Sequence, residues 1–232
     1  MKKFEQDLDA LRQRIVEMGA LAQLMVAMSL SAMTDLQAVY QKVLAVEDQV
    51  DQLQLAIDRE VVRLLAVYTP VAGDLRFVLS ASRVHNALER IGDQAVGLCH
   101  NLDFAARHAA AAELPKLRRM GDTVQNMVRA ALKAFVDKDA SLARTTIAQD
   151  DIVDTLNDEI LKEILRGDVV LQAGVVKGAI AEALTQVLLG RSLERMADQA
   201  TNICEEVIYM VQGDDIRHRH PPQEPVEFPT AE

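Results

Sequence analysis

The octet LERIGDQA at residues 88–95 returns 105 residues later as LERMADQA at 193–200. An internal repeat restricts the fold before composition does, because each copy must be one structural unit. The chain therefore reads as one helical unit built twice. The octet carries two carboxylates, Glu89 and Asp93, then Glu194 and Asp198. Whatever chemistry they support is expected in two places.

The apolar spacing says what the unit is made of. Leu36, Val39, Val43, Val46, Val50, Leu53 and Ile57 step by threes and fours, as do Phe77, Ala81, Val84, Leu88, Ile91, Ala95, Leu98 and Leu102. Such steps line one stripe of a helix and press it against partner helices. A further helical stretch covers roughly 4–33. Asp35 is placed to cap the second helix, and Pro70 marks the turn into the third. The second half repeats the plan, with helices over Leu117–Val136, Ile147–Leu165 and Ile180–Val211, Asp139 as a cap and Gly213 as a stop. The predicted fold is all-α: two tandem, pseudo-symmetric three-helix bundles of six long helices. The boundaries are 1–110 and 114–213, followed by a polar, Pro-rich tail over 214–232 with no packed fold. Composition agrees, since aromatic residues make up only 3% and the body holds only two prolines, Pro70 and Pro115.

Charge narrows the function. The net charge is −10 and no basic stripe is visible, which argues against nucleic-acid binding. The N-terminal MKKFEQDLD is too acidic for a secretory leader. Residues 18–34 are uncharged, but Gln23, Ser29 and Ser31 interrupt them, so a buried helix is expected there rather than a membrane span. Cys99 and Cys204 occupy matching places in the repeats without a CxxC context and are expected as buried thiols.

Each repeat holds two acid pairs at i, i+4: Glu47/Asp51 and Glu89/Asp93, then Asp150/Asp154 and Glu194/Asp198. Four helical residues turn the chain by about 400°, so each pair shares a face one turn apart. Like charges at that spacing repel. The midpoints of 47 with 93 and of 51 with 89 both fall at Pro70, and those of the second repeat at Gly174. Helices folding back about these positions bring four hard oxygen donors to one height, a set that suits Mg, Ca, Mn or iron better than a thiolate zinc site. The competing expectation is a merely solvated acidic face, since the acids lie outside the apolar seams. His85, one turn before Glu89, could add a nitrogen ligand, or be a lone edge histidine. Its counterpart is Gly190. Asn202 extends the second acidic stripe where the first repeat has Gly97.

TPVAGDLRFVLS (69–80), the octet LERIGDQA with VGL after it, and LERMADQATNICEEVIYMVQG resemble the PhoU family over roughly residues 1–213. The resemblance implies two three-helix bundles and multinuclear metal clusters, iron or zinc, on the bundle surfaces. The ligands it implies are Glu47, Asp51, Glu89 and Asp93, then Asp150, Asp154, Glu194 and Asp198. Gln94 and Gln199 stand where family members often have His, which leaves Mn or Mg open. The resemblance further implies a cytoplasmic, non-catalytic adaptor, commonly a homodimer. Such a protein docks at the inner membrane face on the phosphate ABC transporter and on a PhoR-type sensor kinase. There it restrains phosphate uptake and the phosphate-starvation regulon. An accessory protein of a different phosphate permease is the alternative. A di-iron enzyme is a further one, but it needs Glu-x-x-His motifs that this sequence lacks.

Overall fold

The computed structural model describes residues 2–108, 115–166 and 176–217, with side chains from 180 in the last segment. Among these residues there is no strand. The elements are α1 (Lys2–Ser31), α2 (Leu36–Tyr68), α3 (Ala72–His108), α4 (Pro115–Asp137), α5 (Ala140–Ile147), α6 (Asp150–Leu165) and α7 (Val176–Gln212). The first bundle is α1–α3. The second is α4–α7, with α5 and α6 together taking the place of α2. This is the two-bundle plan the repeat predicts, with one difference. The middle helix of the second bundle does not run unbroken from Ile147. It is interrupted at Ala148–Gln149, where Gln149 N–H turns back to the Thr146 carbonyl at 3.0 Å, and α6 starts at Asp150.

The local signals act as expected. The Asp35 carboxylate accepts from Ala38 N–H at 3.2 Å, and Asp139 accepts from Ser141 and Leu142 N–H at 2.9 Å each. These caps satisfy amides that a helix start leaves without partners. Thr69, at φ 45°, closes α2 before Pro70. Gly213 ends α7 at φ 73°, a conformation that costs a glycine little. The proposed turn at Gly174 lies outside the described residues.

Both apolar seams are buried, from Val43 to Leu64 on α2 and from Phe77 to Cys99 on α3. α1 is long and apolar enough to cross a membrane by length and composition, but its Leu11, Ile15, Met18, Met25 and Val26 are fully buried in the core. Cys99 and Cys204 are buried free thiols, and burial pushes them to about 11 and about 12.

The bundles do not sit apart. One apolar core runs through both, α3 lies on α7, and α1 lies on α4. On the α1–α4 side the contact is reciprocal. A Cβ on Gly19 would meet Leu132 Cδ2 at 2.5 Å, and a Cβ on Gly121 would meet Leu30 Cδ2 at 2.4 Å. Each helix thus supplies a gap for the other's leucine. On the α3–α7 side the buried Glu206 accepts from Ser80 Oγ at 3.2 Å and pairs with Arg83 at 3.1 Å. A buried carboxylate is tolerable only with such partners. Arg217 adds a contact to Glu206 at 3.5 Å, and Ile216 packs on the core. The chain beyond Gly213 is therefore not without packing at its start, contrary to the sequence-based expectation. Residues 218–232 of that tail lie outside the described residues.

Candidate metal centres

The hairpin about Pro70 brings α2 against α3, and α6 lies against α7 in the same relation. The four acids of each bundle then share one electrostatic environment. Burial, followed by the charges of Asp51 and Asp93, pushes the Glu47 carboxyl up. Glu89 is pushed up by burial and by Asp93 and Asp51. Asp93 is raised by burial and by Asp51. So the pairs on the two helices feel each other, as the common midpoint predicts.

The second cluster holds the most strongly shifted of these acids. Asp150 is pushed to about 6, chiefly by burial and then by Asp154 and Asp198. The Thr201 hydroxyl opposes that shift from close by, although no aligned hydrogen bond reaches its buried Oγ1. Burial and neighbouring carboxylates also raise Asp154 and Glu194, while burial raises Asp198 against the pull of Arg195. Asn157 on α6 donates to Glu194 Oε2 at 3.0 Å.

The donor chemistry of both quartets is that of a hard cation: neighbouring carboxylate oxygens, opposed only in part by Arg90 in the first bundle and by Arg191 and Arg195 in the second. In the second quartet Thr201 Oγ1 is an additional oxygen that lacks a partner. As the side chains stand, among the described residues no group of three or more His, Cys, Asp or Glu is placed to hold one ion. Glu47, Glu89, Asp150 and Glu194 are half-buried, whereas Asp51, Asp93, Asp154 and Asp198 are exposed.

The two auxiliary candidates fall elsewhere. His85 is neither an edge residue nor directed to the quartet; it is fully buried between α3 and α2. Its Nδ1 lies 3.1 Å from the Ala81 carbonyl oxygen, which can only accept, so Nδ1 carries a proton. Its Nε2 stands 3.0 Å from Asp58 Oδ1 without hydrogen-bond alignment. The neighbouring seam residues Ala81 and Leu88 flank it at helical spacing, a signal of burial present in the sequence. Asn202 is exposed and donates to Gln199 at 3.4 Å. Its amide is spent on a neighbour one turn back.

Beside the second quartet lies a cavity of about 420 Å³, lined by Asn157, Asp158, Leu161, Val187, Arg191, Glu194, Arg195 and Asp198. The acidic motifs alone do not disclose it. Its readable signal is the pair of arginines at i, i+4 within GRSLERMADQA.

Two similar three-helix bundles, each with a carboxylate quartet between its second and third helices, define a class of duplicated helical proteins. The PhoU domain family matches this chain twice, over residues 15–102 and 117–207, and the chain belongs to that family. It is 36% identical over 222 residues to the phosphate-specific transport system accessory protein PhoU homolog of Pseudomonas aeruginosa, covering 94% of this chain and 88% of the relative. The corresponding Pseudomonas putida protein is 35% identical over 222 residues, at 94% and 84%. The crystal structure of PhoU from Pseudomonas aeruginosa superposes with a TM-score of 0.83 at 33% identity, covering 91% of this chain and 100% of that one. The PhoU structure from Streptococcus pneumoniae gives 0.80 at 26%, covering 91% and 98%.

Proposed function

We propose that this chain is an accessory protein of a phosphate-specific transport system, acting as a metal-binding adaptor and not as a catalyst. It restrains phosphate uptake when phosphate is plentiful, and keeps a PhoR-type sensor kinase from switching on the phosphate-starvation regulon. It works in the cytoplasm, docked through those partners at the inner membrane face, and pairs as a homodimer. The observation that carries this reading is the duplicated carboxylate quartet on a PhoU framework. The names of its relatives supply the transport context.

The metal reading rests on the eight acids Glu47, Asp51, Glu89, Asp93, Asp150, Asp154, Glu194 and Asp198. A divalent or trivalent cation would be held by these oxygens, and its charge would offset the repulsion among them. Iron, zinc, manganese and magnesium are the ions to compare, singly or as a cluster. The ion would fix the spacing of α2 on α3 and of α6 on α7, and so stiffen the outer face of each bundle.

Two experiments test the reading. Deleting the gene should leave the starvation response on in rich phosphate, and normal repression in the deletion strain would overturn the regulatory role. Thermal melts with each metal should show stabilisation of the wild type that is lost in Glu89→Ala/Asp93→Ala with Glu194→Ala/Asp198→Ala. Equal shifts in wild type and variant would reduce the quartets to charged surface.

A further inference from the structure

We infer that the cavity beside the second quartet is a site for a protonated tetrahedral oxyanion of the phosphate class, held by Arg191 and Arg195 and recognised through its own O–H by the carboxylates across from them. Arg191 and Arg195 lie at i, i+4 on α7, so their guanidinium groups sit one turn apart on one face. Both line the cavity, and neither makes a hydrogen bond or ion pair among the described residues. Guanidinium groups present planar, paired N–H donors that match two oxygens of a tetrahedral anion. In a chain of net charge −10, two arginines line one hollow with Glu194 and Asp198 near enough to feel their charge but none of their N–H donors engaged, which leaves those donors for an anion.

The acids in the same lining decide which anion. Asp158, Glu194 and Asp198 only accept hydrogen bonds when ionised. They repel a fully deprotonated anion such as sulfate. Hydrogen phosphate carries an O–H that one of these carboxylates can accept. A lining of arginine donors and carboxylate acceptors therefore selects a phosphate-class anion over sulfate. Leu161 and Val187 add an apolar wall, and about 420 Å³ is within the range of small-molecule sites. A phosphomonoester with a small organic body would use that wall, while inorganic phosphate would not.

The first bundle lacks this constellation. The positions equivalent to Arg191 and Arg195 are Asn86 and Arg90. The Asn86 amide is already engaged, donating to the Ser82 carbonyl at 2.6 Å and accepting from Gln54 at 3.4 Å. Where the second bundle has Leu161 and Gly190, the first has Asp58 and the buried His85. The site is thus a property of one bundle only, unlike the quartets.

The test is calorimetric titration of the full chain, kept in chelator so that its outcome is independent of the metal reading. Inorganic phosphate, sulfate and phenyl phosphate are the three probes. Phosphate should bind the wild type and Arg90→Gln equally, sulfate at least about tenfold more weakly, and Arg191→Gln/Arg195→Gln should lose at least about tenfold in phosphate affinity. Circular dichroism checks that each variant is folded, and Arg191→Lys/Arg195→Lys, which keeps charge without the fork, should fall between. Tighter binding of phenyl phosphate than of phosphate assigns the site to a monoester; weaker binding assigns it to the free anion. No phosphate binding to the wild type, or binding unchanged in the glutamine double variant, overturns the site. Sulfate binding as tight as phosphate overturns the role of the carboxylates. A metal-induced melt shift that survives any of these results leaves the metal reading untouched.

Discussion

The two bundles share a carboxylate framework and differ in what surrounds it. In the first, α2 and α3 are long and unbroken, and the space one turn from Glu89 is filled by His85 against Asp58. In the second, the middle helix is interrupted before Asp150. Gly190 stands in place of the histidine, Asn157 reaches in to Glu194, and a cavity opens alongside. A Cβ on Gly190 would meet Asn157 Oδ1 at 2.7 Å, so the missing side chain is what admits the asparagine. Duplication preserved the charges on one face and let the packing behind them diverge. The matching acids therefore stand beside a buried histidine in one bundle and beside a cavity in the other.

The comparison breaks most sharply at the histidine. His85→Ala should cost about 2–4 kcal/mol, because it leaves a cavity at a fully buried position, and a urea melt would show it. Gly190→Ala should cost only about 1 kcal/mol, since Asn157 can swing away, though Glu194 then loses its donor. Equal costs at the two positions would mean that their surroundings are not different.

Metal comes next in size. At a hundredfold excess over the dissociation constant, binding to the folded state alone adds about 2.7 kcal/mol. Glu89→Ala/Asp93→Ala and Glu194→Ala/Asp198→Ala should each remove the contribution of one bundle only. The second should bind at least as well as the first. If one double variant abolishes all metal stabilisation, the quartets are not equivalent sites.

The pH effect is smaller and has a definite sign. In chelated protein Asp150 has a folded value of about 6 against an ordinary value of 3.8. A raised carboxyl favours the folded state below the ordinary value and loses that stability as pH rises through the folded value. The melting temperature should therefore fall by about 2–4 °C between pH 4 and pH 7, and Asp150→Asn should flatten the slope. Asp154→Asn should flatten it less, because Asp154 is less buried. The smallest change is Asn202→Gly, which copies the first repeat at an exposed position whose amide meets only Gln199. Its effect on the metal-dependent part of stability should lie within about 0.5 kcal/mol.

Much of this was legible in the chain. Alternating steps of three and four set the helices, and Asp35, Pro70, Asp139 and Gly213 set most of their ends. The acids of α2 and α3 feel each other's charge because the turn at Pro70 lays one helix back along the other. Other features depend on partners that the local pattern does not name. The break at Ala148–Gln149 carries neither proline nor glycine, so nothing local announces it. The group facing His85 Nε2, Asp58, comes from another helix, and Arg217 finds Glu206 on α7. The repeat also extends to the first helix of each half. MGALAQLMVAMSL (18–30) and MGDTVQNMVRAAL (120–132) share Met, Gly, Gln, Met, Val and Leu at the same positions. They mark α1 and α4 as a matched pair.

That pair carries Gly19 and Leu30 on one helix, and Gly121 and Leu132 at the same spacing on the other. Each leucine fills the gap at the other's glycine, so the contact is isologous: the same patch meets itself across a local two-fold axis. Subunits of a symmetric dimer meet in this manner. The two halves of the chain meet through α1 and α4 as the protomers of such a dimer would. What a second molecule supplies in a dimer is here supplied by the other half of the same chain.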